Sequence, residues 1–413
     1  MTEEARARKA DGMRTVAEAL ELLLERAPRP TRHAVVPLPD ALGRVLAGTV
    51  TSPIDVPGWD NSAMDGYAVN SADLSGDRPR LRVSQRIAAG AAGGPLERGT
   101  AARIFTGAPL PAGADTVVIQ EVCERDGHEV VIGVVPKPGA NVRRVGEDIR
   151  AGGEVIAAGT RLGPAHLGLA ASVGVAGLAV YPRLRVALFC TGDELVMPGS
   201  PLGPGQIYNS NQYTATGLLQ ALGCEVVPLG IVPDSLEATV AALADAAARA
   251  DLVLATGGVS VGEEDHLKPA VERLGALDLW RIAMRPGKPL AFGRIGDTPF
   301  IGTPGNPVSL FVTFVLFARP FILRMQGRED IAPLVIPAVA DFDWPKPDKR
   351  REYPRARLVH GADGSVRASV YPSRSSAVLS SVAWADGLVE IPEGRVVARG
   401  ETVAFLPFNG LLS

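Results

Sequence analysis

Thr256-Gly257-Gly258-Val259-Ser260-Val261-Gly262 runs directly into Glu263-Glu264-Asp265. Paired glycines let backbone N–H groups approach an anion, because no Cβ stands in the way. Carboxylates a few residues later suit a divalent cation beside that anion. A plain turn explains the glycines equally well; the acidic run is what favours a ligand site. Other segments carry related chemistry: Thr191-Gly192-Asp193-Glu194, Asp234, and Met284-Arg285-Pro286-Gly287-Lys288-Pro289, which supplies two cations. In Thr303-Pro304-Gly305-Asn306-Pro307-Val308-Ser309, Asn306 suits an N-cap and Pro307 a first helical residue. A helix dipole adds only about 0.3–1 kcal/mol for an exposed anion, so Arg285 and Lys288 supply most of any attraction there.

The elements around these segments position them. Leu252–Ala255 reads as a buried strand, as do Arg185–Cys190, Glu225–Val232, Pro289–Phe292 and Phe300–Gly302. Helical patterns fall between them: 211–222, a stretch capped by Asp234 and ending near Arg249, 268–274 and 306–326. Such alternation predicts a doubly wound, mostly parallel sheet, whose ligands bind beyond the carboxyl ends of its strands. The candidate residues fall there.

Outside that unit, Thr15 and Glu18 form a capping box for a helix over 15–26, and Pro164 opens a short helix to about Gly174. Short alternating runs between about 35 and 160 predict a β-rich unit. It contains Asp60-Asn61-Ser62-Ala63-Met64-Asp65-Gly66-Tyr67-Ala68 and Asn141-Val142-Arg143-Arg144-Val145-Gly146-Glu147-Asp148. Asp, Asn and Ser close turns, so turn chemistry and ligand binding both fit these strings. Residues 330–345 read as a linker, and alternating runs beyond it predict a small β-domain of barrel type.

Composition narrows the function. The 42 basic and 45 acidic residues leave a net charge of −3, which offers no general pull toward nucleic acid or a membrane surface. Three scattered cysteines make neither a disulfide framework nor a metal-binding pair, as expected of a reducing, cytoplasmic setting. The N-terminus mixes charges and lacks the apolar core of a signal peptide. Val308–Leu323 is apolar but short for a membrane span of about 20 residues, and predicts a buried helix. With 413 residues, several domains are expected.

Taken together and in order, DNSAMDGYA (60–68), TGAPLPAGADTVV (106–118), RRVGEDI (143–149), TGDEL (191–195), TGGVSVGEED (256–265), MRPGKP (284–289) and PGNPVS (304–309) resemble one family. It is the molybdopterin molybdenumtransferases, or MoeA family, related to the C-terminal domain of gephyrin. REYPRARL (351–358) and ADGLVEIP (385–392) look similar too, so the resemblance runs from about 14 to 409. It implies a multidomain α+β and α/β protein. An N-terminal helical and β region (13–52 with 142–180) carries an inserted β-rich domain (53–141). A central α/β domain (181–328) and a small C-terminal β-barrel-like domain (333–413) follow.

The implied activity is insertion of molybdenum from molybdate into adenylylated molybdopterin, with Mg²⁺ and release of AMP. The implied assembly is a homodimer with a composite cleft, with a molybdopterin adenylyltransferase and molybdoenzymes as further partners. By resemblance Asp60, Asp148, Glu194, Asp234 and Asp265 are catalytic, and Glu194, Asp234 and Asp265 ligate metal. Asp60 and Asp148 would reach in from the β-rich unit, across the dimer. Thr106, Arg143, Thr191, Gly257, Gly258, Ser260, Arg285, Lys288, Pro304, Gly305, Asn306 and Ser309 would bind substrate, with His266 as a supporting neighbour. Arg285 stands where Lys is common in the family, and Thr303 where an apolar residue often precedes PGNP. A carboxylate about 4 Å from a phosphate charge is repelled by roughly 4 kcal/mol at an effective dielectric near 20. Five acids around such anions therefore call for a cation. Rival readings are adenylyl transfer or pyrophosphate hydrolysis, which use a similar central module alone, and a non-catalytic scaffold as in gephyrin.

Overall fold

The computed structural model describes residues 13–258, 266–361 and 363–412. At its centre is a six-stranded sheet of β1 (Arg185–Thr191), β2 (Glu225–Val232), β3 (Leu252–Thr256), β4 (Gly275–Arg281), β5 (Pro289–Ile295) and β6 (Thr298–Thr303). The order is β2-β1-β3-β6-β5-β4: β2, β1, β3 and β6 are parallel, and β5 and β4 add an antiparallel edge. The expected mostly parallel, doubly wound sheet is present; Gly275–Arg281 is a strand that the sequence pattern did not single out. Helices Leu236–Arg249 and Leu267–Leu274 pack on one face. Ser210–Ala221 and Pro307–Met325 pack on the other. The cap of the Leu236–Arg249 helix is Ser235, whose hydroxyl accepts from the Ala238 N–H, rather than Asp234. That correction leaves the Asp234 carboxylate available to the sheet edge.

Pro307–Met325 is 19 residues long and has a mean hydropathy of 1.7. Its length and composition would suffice to cross a membrane, yet 89% of the apolar stretch is buried inside the protein. Val186 and Leu188 of the sheet are only part of its surroundings. Val16, Ala19 and Leu23 of the N-terminal helix, and Leu388, Leu406 and Leu411 of the C-terminal unit, share the same core. A helix covered on all sides can be apolar on all sides. Pro320 lacks the N–H that an α-helix needs, and the hydrogen bonding opens to π spacing over Phe314–Ala318 just before it.

The N-terminal helix Val16–Glu25 begins with the expected Thr15–Glu18 capping box. Ala34–Pro37 pairs with Gly177–Val180, and Val50–Thr51 with Glu154–Ile156. Between these two-part pairings lies a second six-stranded sheet built from residues 66–132. The C-terminal unit is a closed five-stranded barrel. Its first strand is Ile336–Ala340, so the second half of the expected 330–345 linker is barrel; alternate residues Ala338 and Ala340 face its core.

Gly66 sits where the inserted sheet is tightest, between the 100–104 and 116–119 strands. A Cβ there would collide with the Val118 carbonyl. Gly66→Ala is expected to cost about 1–3 kcal/mol by overpacking, read as a lower urea midpoint for the inserted sheet. Gly94→Ala, with nothing within 4 Å and no left-handed backbone, should cost less.

Candidate functional site

β1 and β3 are neighbours, and the chain leaves their carboxyl ends toward opposite sides of the sheet. β1 leads to β2 on its outer flank, while β3 leads toward β6. That divergence opens a cleft of about 1160 Å³ beyond Thr191 and Thr256. Gly257 (φ +88°) forms part of its floor. A Cβ on Gly257 would lie 2.7 Å from the Thr191 carbonyl oxygen, so only glycine permits this approach. The Gly257 N–H donates to the Thr303 carbonyl at 3.1 Å, and the Thr303 hydroxyl donates to the Ala255 carbonyl at 3.0 Å. Thr303 is thus fully buried and satisfied, and its hydroxyl ties β6 to β3.

One end of the cleft is acidic. The Asp193 N–H donates to Asp234 Oδ2 at 3.2 Å, and the Asp234 N–H donates to Asp193 Oδ1 at 3.1 Å. This reciprocal clasp links the loops after β1 and β2. Gly192 (φ +144°) lets the Glu194 carboxylate fold back, since a Cβ would lie 2.6 Å from Glu194 Oε2. Burial holds the Asp234 carboxyl above its usual range, and the charges of Asp193 and Glu194 push the same way. The Asp193 N–H and nearby His266 act in the opposite direction. No group of three or more metal-ligating side chains occurs among the described residues. Glu194 and Asp234 both line the cleft, and two carboxylates match the donor number of Mg²⁺, which takes one or two and completes its shell with substrate phosphates and water.

The other end is basic, and the barrel helps to build it. Met284-Arg285 pairs in parallel with Arg351-Glu352, the Arg351 N–H donating to Ala283 and the Tyr353 N–H to Arg285. Asp348 forms an ion pair with Arg285, whose Nε lies at 3.2 Å, and accepts a hydrogen bond from Arg350 Nε at 3.3 Å. Buried Arg355 donates to the Ser373 and Ser375 carbonyls and to the Ser381 hydroxyl. It thereby fixes the segment that carries Arg374, Ser375 and Ser376 across the cleft. The Val308 N–H, at the start of the Pro307–Met325 helix, donates to the Ser376 carbonyl at 3.0 Å. Arg374 pairs with buried Glu352 and lies over the Trp344 ring at 4.3 Å. Glu352 also accepts from Trp344 Nε1 at 2.7 Å.

Of the sequence candidates, Thr191, Glu194, Asp234, Gly257, Gly258, Arg285, Lys288, Pro304, Gly305, Asn306 and Ser309 all line this cleft. Ser260 and Asp265 lie outside the described residues. Asp60, Thr106, Arg143 and Asp148 are not among the lining residues; they gather elsewhere. Asn61-Ser62 pairs with Val142-Arg143, and the Gly107 N–H donates to the Ser62 carbonyl. Asp60 accepts from the Val145 N–H at 2.8 Å and from Arg144 at 2.6 Å, which lowers its pKa, the Val145 N–H contributing most. Thr106 donates from its N–H and its hydroxyl to Asp65 at 2.8 Å. The strings at 60–68, 106–109 and 141–148 are thus a single polar knot on the inserted unit, in which exposed Arg143 and Asp148 face outward. Sequence reading did not single out Asn209, Asn211, Arg350, Arg374, Ser375 or Ser376 as lining residues. Asn209 could have been found as the cap before a helical pattern. Arg350 and Arg374 had no local signal, because the docking of the barrel places them.

Asp234 yields a test. A raised carboxyl pKa means that the folded protein binds the proton more tightly than the unfolded chain. Its stability therefore falls as pH rises from the ordinary carboxylate range through the folded value. Asp234→Asn mimics the protonated form and keeps an acceptor for the Asp193 N–H. It is expected to melt no lower than the wild type at pH 7, with the difference vanishing below the ordinary Asp range. A clear loss of melting temperature at pH 7 would contradict this account of the cluster.

Family models match three stretches of the chain. They are the MoeA N-terminal region (domain I and II) at 14–174, a probable molybdopterin binding domain at 187–324, and the MoeA C-terminal region (domain IV) at 337–408. The chain is 39% identical over 407 residues to a molybdopterin molybdenumtransferase of Haemophilus influenzae, covering 97% of this chain and 100% of that one. It is 40% identical over 400 residues to molybdopterin molybdenumtransferase 2 of Mycobacterium tuberculosis, covering 94% and 98%. Among solved structures, a molybdopterin biosynthesis MoeA protein from Pyrococcus horikoshii superposes with a TM-score of 0.78 at 33% identity, covering 96% of this chain and 99% of that one.

Proposed function

The chain belongs to the MoeA family of molybdopterin molybdenumtransferases, enzymes of molybdenum cofactor biosynthesis, and we propose that its cleft transfers molybdenum from molybdate to adenylylated molybdopterin with release of AMP. The observation that carries this reading is the two-ended cleft, with Glu194 and Asp234 on loops after β1 and β2 and Arg285, Lys288, Arg350 and Arg374 opposite. A substrate bearing a phosphoric linkage and a separate oxyanion matches both ends. Glu194 and Asp234, with Asp265 from the adjoining segment, would hold Mg²⁺, which when bound supplies charge neutralisation and polarises the linkage.

The chain's own groups do the rest. Gly257 and Gly258 bring backbone close to the phosphoric group, where no side chain intervenes. Arg285 and Arg350, splayed around Asp348, present fixed guanidinium donors to an oxyanion. Lys288 adds a mobile charge, and Ser309, Ser375 and Ser376 add hydroxyls. Placing the oxyanion and the pterin dithiolene in one cleft converts an encounter in solution into a reaction between held neighbours.

Asp60 and Asp148, with Thr106 and Arg143, belong to this reading through a second subunit. Their polar knot lies apart from the cleft lining of its own chain, and a twofold partner would bring one knot to each cleft. Cytoplasmic operation and delivery of substrate by an adenylyltransferase, with hand-over to molybdoenzymes, complete the proposal.

Purified protein given adenylylated molybdopterin, Mg²⁺ and molybdate is expected to release AMP only when molybdate is present. Glu194→Gln and Asp234→Asn should lose about 10²-fold or more in kcat while staying folded. Full turnover in both variants, or release indifferent to molybdate, would defeat the reading.

A mixing experiment tests the shared site. Asp60→Asn and Glu194→Gln proteins, each inactive alone, should regain roughly a quarter of wild-type activity after subunit exchange, because half the dimers then carry one intact cleft. No recovery despite proven exchange would place Asp60 in service of its own chain or of neither.

A further inference from the structure

Asn211 lines the cleft at the second position of the Ser210–Ala221 helix. The cap itself is made by its neighbour Asn209, whose side chain accepts from the Gln212 N–H at 3.2 Å. Asn211 is therefore not needed by its own helix. Its Nδ2 donates to the Gly305 carbonyl at 2.6 Å, in the turn that opens the Pro307–Met325 helix. That bond fixes the amide: turned the other way, two oxygens would face each other. Oδ1 is left buried, with no hydrogen-bond partner among the described residues. A buried acceptor without a donor costs about 1–3 kcal/mol, and an N–H of a ligand entering the cleft that Asn211 lines would relieve that cost.

Phosphate and oxyanion oxygens offer Oδ1 no N–H, and they are served by the basic end. An N–H of a nitrogen heterocycle is the complement. The aromatic ring of Tyr208 lines the same cleft, held by its hydroxyl donating to the Ser200 carbonyl at 3.0 Å. A planar heterocycle has a face for such a ring and an edge for such an amide.

We propose that Asn211 is a specificity-determining residue, whose Oδ1 accepts a hydrogen bond from a heterocycle N–H of the bound substrate and so fixes which end of that substrate enters beside Gly305. The inference rests on the reading of the substrate given above. Two parts of that substrate carry such donors, the pterin and the adenine.

Two titrations separate them: 6-hydroxymethylpterin, followed by its fluorescence, and AMP, followed by calorimetry, each against wild type and Asn211→Ala. One lost hydrogen bond predicts about tenfold weaker binding in one arm only. The molybdate concentration for half-maximal rate should not change. Loss in the pterin arm, or in the AMP arm, supports the proposal and identifies the heterocycle. Unchanged affinity in both arms overturns it. So does an equal fall in both arms together with weaker use of molybdate, since that is a purely structural effect. Should Asn211→Ala fail to fold, Asn211→Ser keeps a short polar group at the helix start and is expected to show the same selective loss. Wild-type protein that binds neither probe overturns the substrate reading and this inference with it, whereas wild-type binding left intact in the variants overturns this inference alone.

Discussion

Between Gly257 and the Thr191 carbonyl there is room for a hydrogen but not for a methyl group, because a Cβ would come within 2.7 Å of that oxygen. This close approach lets the ends of β1 and β3 lie side by side while their chains part to opposite flanks. A broader gap would leave the two loops independent; a closer one is sterically impossible. The loop after β1 then turns at Gly192 to meet the loop after β2, and the reciprocal Asp193–Asp234 bonds hold them together. The half-buried Asp234 carboxylate thereby lies near the exposed Asp193 and Glu194. The repulsion between Asp193 and Asp234 is offset by the backbone N–H that each donates to the other's carboxylate.

The final helix of the central unit has a second role that its sequence disguises. Its apolar run predicts a buried helix, and it is the shared core of three units. Its first turn meets the cleft at Ser309 and receives the Ser376 carbonyl, while its later turns bury Leu406 and Leu411 of the barrel unit against the sheet. The barrel is consequently not a pendant module. Its position over the cleft is set by apolar burial along the helix and by the short parallel pairing at Met284-Arg285.

Much of this is legible in the sequence, and for identifiable reasons. β1, β2 and β3 announce themselves because strands buried on both faces are continuous apolar runs. The cleft residues on the loops after them follow from the rule that such sheets bind at their carboxyl ends. β4 escapes notice because Gly275–Arg281 carries Asp278 and Arg281 and lies at an antiparallel edge, where burial is one-sided. Asp234 looks like a helix cap because Asp and Ser are nearly equivalent caps; only the fold decides that Ser235 takes the position. The inserted unit reads as β-rich, but its strings at 60–68 and 141–148 are about eighty residues apart. No local pattern can report that they pair.

The residues that escape sequence reading share one property, which bears on why the chain keeps four-part complexity around a single cleft. Arg350, Arg374, Ser375 and Ser376 are surface residues of a small barrel, without chemical meaning until the barrel docks. In the proposed reading the acidic cluster at the edge of the sheet repels an anion, and Arg285 and Lys288, on the loop between β4 and β5 of the same sheet, offset part of that repulsion. The barrel unit adds the guanidinium groups of Arg350 and Arg374, which line the cleft and pair with Asp348 and Glu352 rather than with the acids. Asp348 and Glu352 keep those arginines from collapsing onto Glu194 and Asp234, by holding Arg285, Arg350 and Arg374 in ion pairs of their own. The cleft stays polarised because its arginines are held by ion partners of their own, away from the acidic end.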